Sequence, residues 1–161
     1  MESNNQSTIV FFSKDGNTKA GAKRLNERLH GKIIELTEAR KGNVLQALLK
    51  RGSRLQGNPW DEIRDATRLY LMEPIWASNA VPAMNAFLKK ADFSGKTVTI
   101  ITFQGSGDLK GSDKVHQAIG DIVKKKTGTV KGTYAFVGGE IGTCADEAKI
   151  NGQIDTIDLS D

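Results

Sequence analysis

Small hydroxyl, amide and glycine residues follow the first apolar run of the chain, where they could bind an anion. The run covers residues 8–12, and a helical pattern begins shortly after the segment Ser13-Lys14-Asp15-Gly16-Asn17-Thr18. Backbone N–H groups around a glycine converge on an anion, and a helix N-terminus adds a favourable dipole. The side chains of Ser13, Asn17 and Thr18 can add hydrogen bonds, which are strong when the acceptor is a phosphate dianion. Lys14 would add charge or point into water, and an ordinary capped turn is the alternative reading of the whole loop.

A tryptophan stands just after the third apolar strand, where an exposed indole is costly. The strand covers residues 68–72, and Glu73-Pro74-Ile75-Trp76-Ala77 continues from it. A planar ligand stacked on Trp76 would bury one ring face, and stacking contributes about 0.5–1.5 kcal/mol beyond area burial. Backbone groups of Pro74 to Ala77 would then line the edge of that ligand. The alternative is that Trp76 packs on a neighbouring helix or at a subunit interface.

A glycine-containing loop follows the fourth strand, which covers residues 97–103. Gly105 and Gly107 allow the backbone to approach a ligand closely or to adopt positive φ. The order Gly-Ser-Gly is followed by Lys110, so the third glycine of a dinucleotide-binding fingerprint is missing. The alternative is a flexible surface loop.

Strand-like apolar runs and amphipathic helical patterns alternate along the chain. Five strands are predicted, with helices that include one started by Pro82 and one capped by Ser112-Asp113. This alternation favours a parallel sheet with helices on both faces. Ligands of such sheets bind beyond the carboxyl ends of the strands. All three segments described above follow strands, so we expect them to meet at one edge of the sheet.

The connection over residues 37–67 is long for such a fold. It contains one predicted helix, with Val44, Leu45, Leu48 and Leu49 on its inward face. Gly52, Gly57 and Pro59 then interrupt regular structure.

Taken together, the segments after the first and third strands resemble the flavodoxin family. The family's phosphate loop has a hydroxyl residue, two variable positions and Gly-Asn-Thr, as in residues 13–18. Its third-strand loop places a proline and an aromatic beside the flavin before a proline-started helix, as in residues 73–82. The matches keep the family's order and spacing from residue 8 to about residue 110. The resemblance implies a three-layer α/β/α flavodoxin-like fold with a five-stranded parallel sheet in the order 2-1-3-4-5, and bound FMN.

The resemblance also implies which residues contact the cofactor. Residues 13–18 would hold the phosphate, Pro74 to Ala77 would lie beside the ring, and Asn79 would be a donor to the ring or a helix cap. The loop after the fourth strand would hold the pyrimidine side of the ring through Phe103, Gln104, Gly105, Gly107 and Asp108.

Two features depart from the family pattern. Glu73 stands where a small or hydroxyl residue is more usual, and a carboxylate beside the flavin would lower its potential unless a cation pairs with it. The chain carries a formal net charge of +4, whereas electron-shuttling flavodoxins are typically acidic and dock on basic partners. Complementary electrostatic potentials raise the rate at which two proteins meet. The positive charge therefore favours a flavin reductase or an acidic partner over a flavodoxin-type electron shuttle.

We therefore predict an FMN-binding electron-transfer protein with no catalytic side chain and no metal. One alternative is an FMN-dependent NAD(P)H oxidoreductase acting on quinones or similar acceptors, which would use a homodimer to build its cleft. The other is a flavin-free binding module. The partner would be a redox protein or NAD(P)H. The chain has two basic clusters, one formed by Arg40, Lys41, Lys50, Arg51 and Arg54 and the other by residues 124–126. A nucleic-acid partner is not expected, because neither cluster is interleaved with aromatic residues.

Length and composition set the remaining expectations. The 161 residues predict a single domain over 1–161, with a flexible N-terminal tail over residues 1–7. No apolar run approaches the roughly 20 residues that span a bilayer. The polar start lacks the features of a secretory signal. We expect a cytoplasmic protein without membrane insertion.

Overall fold

The computed structural model of the chain describes residues 6–105 and 107–160. Strands and helices alternate as the sequence predicts, and three short strands are additional. In chain order the elements are β1 (Ser7–Phe11), α1 (Asn17–Leu29), β2 (Lys32–Glu35), β3 (Glu38–Arg40), α2 (Val44–Leu48), β4 (Arg54–Leu55), β5 (Arg68–Trp76), β6 (Asn79–Ala80), α3 (Pro82–Lys90), β7 (Thr97–Gln104), α4 (Ser112–Lys125), β8 (Thr129–Val137) and α5 (Glu147–Ile154).

Five strands form one parallel sheet in the order β2-β1-β5-β7-β8. Counted along the chain without the short strands, this is the predicted order 2-1-3-4-5, so the fold prediction is confirmed. β6 pairs antiparallel with the end of β5, which was not predicted. The strand order reverses between β1 and β5, and the loops that leave these two strands therefore bound a crevice at the carboxyl edge.

Helices cover both faces of the sheet, because its central strands are continuous apolar runs. In β5, Leu69 and Leu71 face a core beneath α3 and α4, while Tyr70 and Met72 face a second core beneath α1 and α5. All four side chains are at most 2% exposed. Anchored on both sides, β5 gives the site at its carboxyl end a rigid base.

The predicted helix in the long connection exists as α2, but the prediction that its apolar residues face inward is wrong. α2 buries only Ala47. Val44, Leu45, Leu48 and Leu49 are 50–62% exposed. A spacing of three and four residues marks an apolar face, but it does not say whether the chain itself covers that face.

The backbone on either side of α2, rather than its leucines, lies close to α3. A Cβ atom at Gly42 would lie 2.6 Å from the Cβ atom of Pro82. A Cβ atom at Gly52 would lie 2.9 Å from the Cα atom of Ala86. These two close approaches fix the position of α2 while leaving its apolar side chains uncovered.

The N-terminal tail predicted over residues 1–7 extends too far, because Ser7 already belongs to β1. Ser7 is buried and begins β1, where parallel pairing with Arg68 of β5 holds it in the sheet. Residues 1–5 lie outside the described residues. Within the described part of the chain, no helix has the length and apolar content needed to cross a membrane.

Candidate functional site

An open cleft of about 230 Å³ lies at the carboxyl ends of β1, β5 and β7. The three sequence segments predicted to meet there do so. Most of the predicted site residues line the cleft, namely Ser13, Lys14, Asp15, Asn17, Thr18, Pro74, Ile75, Trp76, Ala77, Phe103, Gln104 and Gly105. Gly16, Asn79, Gly107 and Asp108 do not line it.

The loop between β1 and α1 has the features of an anion-binding turn. Gly16 is the N-cap of α1 with φ of +96°, a conformation that only glycine adopts without strain. The Ser13 hydroxyl oxygen accepts from the Lys19 N–H at 3.2 Å, which leaves the hydroxyl proton for a ligand. The first turn of α1 itself contains no acidic residue, and the neighbouring Asp15 carboxylate accepts a hydrogen bond from the Gly142 N–H.

The Asn17 side chain, which the sequence predicts as a phosphate contact, makes three hydrogen bonds within the chain. Its Oδ1 accepts from the N–H groups of Gly139 and Ala145, at 2.9 and 2.7 Å. Its Nδ2 donates to the carbonyl oxygen of Thr143 at 2.8 Å. Asp15 acts similarly, because its Oδ2 accepts from the Gly142 N–H at 3.2 Å. Both side chains brace the segment that follows β8.

That segment is the part of the cleft that sequence reasoning missed. Gly138 begins it, and the Gly138 N–H donates to the carbonyl oxygen of Gln104 at 2.8 Å. A Cβ atom at Gly138 would lie 3.0 Å from the Cγ atom of Asn17, so the glycine permits this close packing. Gly138 and Gly139 directly follow a predicted strand, and this pair of glycines is the sequence feature that could have indicated a loop of the cleft. The missed lining residues are Val44, Gly138, Gly139, Glu140 and Ile141.

Trp76 forms one wall of the cleft and is only partly buried. Its ring meets Phe12 edge to face, with centroids 5.9 Å apart and an interplanar angle of 84°. The Lys14 ammonium lies 5.4 Å from the centre of the indole ring, a cation–π contact. Lys14 therefore contacts the aromatic wall while its side chain stays exposed.

A tight two-residue hairpin follows Trp76. Ala77 and Ser78 both have positive φ, of 48° and 58°, as in the type I′ turns that suit a hairpin. Asn79 donates from its Nδ2 to the Ala77 carbonyl oxygen at 2.6 Å. Asn79 thus fastens the hairpin, which explains why it lies outside the cleft. Ala77 and Ser78 are not glycine, so their positive φ angles store backbone strain beside the candidate site.

The end of β7 contributes a buried polar atom with no partner. Gln104 Oε1 is inaccessible to solvent and accepts no hydrogen bond from residues 6–105 or 107–160. Gly105 permits a close approach to another backbone segment, since a Cβ atom there would lie 2.8 Å from the Gly139 carbonyl oxygen. Gly107 and Asp108 are exposed, and the Asp108 carboxylate lies 3.3 Å from the Lys110 ammonium.

Glu73 does not line the cleft, although it immediately precedes residues that do. Its side chain is buried, and its Oε2 accepts from the Val81 N–H at 3.3 Å, at the N-cap of α3. Its Oε1 has no partner among the described residues, and no cation pairs with the carboxyl group. Burial raises the pKa of this carboxyl well above its ordinary value, with the Val81 hydrogen bond opposing the shift.

A scan against protein-family models and a search of curated proteins find no match for the sequence. Solved structures do match. A candidate flavoprotein from Bacteroides eggerthii DSM 20697 is 17% identical with a TM-score of 0.69, over 96% of this chain and 98% of that chain. A flavoprotein from Lactobacillus acidophilus NCFM, solved in complex with FMN, is 11% identical with a TM-score of 0.61, over 81% and 93% of the two chains.

Oxidised flavodoxin 1 from Bacillus cereus is 11% identical with a TM-score of 0.60, over 93% of this chain and 92% of that chain. Identities this low establish a shared backbone architecture and no shared activity. The strand order, the crevice at the reversal point and these superpositions agree with one another. The chain has the flavodoxin-like fold.

Proposed function

We propose that this chain binds FMN noncovalently and passes electrons through it to and from a partner protein. The observation that carries the proposal is the cleft itself, where an anion-binding turn, a half-buried indole and an orphaned amide oxygen meet. Each of these groups suits a different part of FMN: the phosphate, the aromatic ring and the imide edge of the ring. One structural neighbour, the flavoprotein from Lactobacillus acidophilus, was solved in complex with FMN, which adds support from fold likeness alone.

In this proposal the phosphate is held by the β1–α1 loop. Backbone N–H groups around Gly16 and the hydroxyl groups of Ser13 and Thr18 would donate to it, helped by the α1 dipole. Asn17 would act indirectly, because its side chain holds the segment after β8 in place. Asp15 carries a negative charge in the same loop, and its bond to the Gly142 N–H draws that charge toward the segment after β8.

The ring would lie between the Trp76 wall and the loop after β7. Gln104 Oε1 would accept a hydrogen bond from the ring's imide N–H, which removes the cost of an unpaired buried acceptor. A ring stacked on the indole face that Lys14 covers displaces the Lys14 ammonium toward solvent. When bound, FMN supplies the capacity to accept and release one or two electrons, and the protein supplies anchoring and orientation.

An FMN titration followed by flavin fluorescence tests the proposal. Stacking on Trp76 predicts strong quenching of the flavin, and Trp76→Phe should reduce both the quenching and the affinity. Trp60→Phe is the matched control, because Trp60 lies outside the cleft against the Lys90 ammonium. A protein that stays colourless after reconstitution with excess FMN would overturn the proposal and favour a flavin-free binding module.

Comparison of FMN with riboflavin isolates the phosphate contribution. We expect riboflavin to bind at least about tenfold more weakly, because hydrogen bonds to charged groups contribute about 1.5–3 kcal/mol. The isosteric variant Thr18→Val should reduce the difference in affinity between FMN and riboflavin. It should not alter the fluorescence quenching of the FMN that still binds. Equal affinities for the two flavins in the unmodified protein would contradict the phosphate assignment.

Stopped-flow mixing of the FMN-loaded protein with NADPH separates an electron carrier from an FMN-dependent NAD(P)H oxidoreductase. A carrier shows no direct bleaching of the flavin absorbance. Fast bleaching would instead support the oxidoreductase and its expected homodimer.

A further inference from the structure

Apolar side chains that the fold leaves uncovered gather beside the cleft. We call Val44, Leu45, Leu48 and Leu49 the α2 patch; each is at least half exposed. They fall on one side of the helix, because residues four apart in a helix lie one above the other. Val44 also lines the cleft, so the patch adjoins the candidate FMN site. Contiguous apolar groups of this kind on a protein surface mark interaction sites.

The α2 patch stands on a rigid support. Asn43 and Gln46 form a reciprocal capping box at the helix start, with bonds of 2.9 and 3.0 Å. At the helix end, the Arg51 N–H donates to the Gln46 carbonyl oxygen at 2.8 Å, while Lys50 has φ of 54°. Together with the close approaches at Gly42 and Gly52, these bonds fix the helix before any partner arrives. A preformed surface loses little conformational entropy on binding.

The segment that carries the patch is positively charged, whereas Asp15 and Glu140 line the cleft on the Val44 side. Residues 39–60 contain no aspartate or glutamate. Their cations are all exposed, and none lies within an ion-pair distance of a carboxylate of the described residues. These cations are Arg40, Lys41, Lys50, Arg51 and Arg54.

A groove of about 680 Å³ between α3 and α4 extends this positive surface. Lys50 and Arg51 line it together with Lys89 and Lys114, and no carboxylate lines it. Lys126 also borders the groove, but its ammonium donates to three carbonyl oxygens at the end of α3. The remaining four cations are available to a partner.

An apolar centre with a cationic rim fits a partner whose own apolar patch is ringed by carboxylates. A second copy of this chain fits poorly, because a symmetric dimer built on this patch would bring the same cations face to face. We infer that the α2 patch and its cationic rim dock an acidic protein. That this protein exchanges electrons with the site rests on the proposed function, whereas the docking itself does not require bound flavin.

Equilibrium binding to two probe proteins tests the inference. The probes are an acidic plant-type [2Fe–2S] ferredoxin and a basic mitochondrial cytochrome c, titrated by calorimetry into the flavin-free and the FMN-loaded chain. We expect the ferredoxin to bind and the cytochrome c not to bind. Raising the ionic strength from about 50 mM to about 300 mM should weaken ferredoxin binding at least about tenfold, since salt screens exposed charges.

Matched variants locate the binding surface. Lys50→Gln with Arg51→Gln should weaken ferredoxin binding about tenfold, because both cations border the patch. Lys124→Gln with Lys125→Gln removes the same charge from the far end of α4 and should change binding less than about twofold. Leu45→Ser with Leu48→Ser should weaken binding about tenfold while leaving the salt dependence intact.

Several outcomes would overturn the inference. Absence of ferredoxin binding, or binding that is equally tight after the Lys50 and Arg51 changes, would rule out the proposed surface. Concentration-dependent dimers that Leu45→Ser with Leu48→Ser abolishes would show that a second copy covers the patch. Failure of FMN binding is a separate result, because ferredoxin binding to the flavin-free chain does not depend on it.

Discussion

α4 and α2 carry the same kind of apolar pattern, and the fold treats the two apolar faces in opposite ways. Val115 and Ile119 of α4 are 1% exposed, whereas every member of the α2 patch is at least half exposed. α4 has 14 residues and lies along the sheet, while α2 has five and is held through its flanking backbone. Periodicity therefore identifies a helix and its apolar face, and the remainder of the fold decides whether the chain covers that face.

The largest loss of stability should come from truncating a buried side chain of α4. Ile119→Ala removes a side chain packed in the core beneath α3 and α4, and we expect a loss of about 2–5 kcal/mol in the free energy of unfolding. Urea denaturation followed by circular dichroism measures this loss. A loss below about 1 kcal/mol would show that α4 is not packed as described.

A backbone contact should matter more to α2 than its leucines do. Gly52→Ala would place a Cβ atom 2.9 Å from the Cα atom of Ala86, and neither backbone can yield easily. We expect a loss of about 1–3 kcal/mol by urea denaturation. The control is Gly152→Ala in α5, where an added Cβ atom meets nothing within 4 Å, and its stability should be unchanged or higher. Equal losses in both variants would contradict the close approach.

Protonation of His116 should weaken the contribution of α4 to the stability of the chain. His116 of α4 is buried, with its Nε2 2.8 Å from the Thr102 hydroxyl oxygen, and burial lowers the pKa of its imidazole below the ordinary 6.5. The unfolded chain then binds the proton first, so the contribution of His116 to stability falls as pH drops below 6.5, whereas the raised pKa of Glu73 acts in the opposite direction. A pKa that is lower by one in the folded chain than in the unfolded chain costs about 1.4 kcal/mol of stability once the imidazole is protonated.

Denaturant midpoints at pH 7 and pH 5 measure this effect, with His116→Gln as the comparison. The variant keeps a hydrogen-bonding group near Thr102 but cannot take up the proton. We expect the unmodified protein to lose more stability than the variant over this interval. Identical losses would contradict the assignment to His116.

The smallest effect should come from α2 itself. Leu48→Ala removes a side chain that is 52% exposed, and the free energy of unfolding should change by no more than about 0.5 kcal/mol. Urea denaturation beside Ile119→Ala gives the direct contrast. A loss above about 1 kcal/mol would mean that the chain itself covers the α2 patch.

Sequence patterns predicted the sheet, its strand order and most of the cleft, because these follow from local signals. Continuous apolar runs predict buried strands, and parallel strands bring their carboxyl ends to one edge. The turn at Gly16 and the wall at Trp76 each follow such a strand directly. Their meeting in space therefore depends on topology alone and not on side-chain detail.

The contacts of Asn17 could not be predicted, because they join segments distant in sequence. The role of Asn17 depends on Thr143 and Ala145, more than 120 residues away, and no local pattern encodes that pairing. The position of Gly107 depends on how the loop after β7 turns once it leaves the sheet. The Glu73 carboxyl group accepts a hydrogen bond from the Val81 N–H, because the β5–β6 hairpin turns the chain back toward it.

The Asn17 side chain has a wider consequence for how defects in this protein should be interpreted. The Asn17 amide group connects the start of α1 to the segment after β8, so the two segments are held in a fixed relation to each other. Gly139→Ala would place a Cβ atom 2.6 Å from the Thr143 carbonyl oxygen, and in the proposed FMN site it should weaken phosphate binding by a loop more than a hundred residues upstream. Screens for ligand-binding mutants should accordingly return positions that touch no ligand at all.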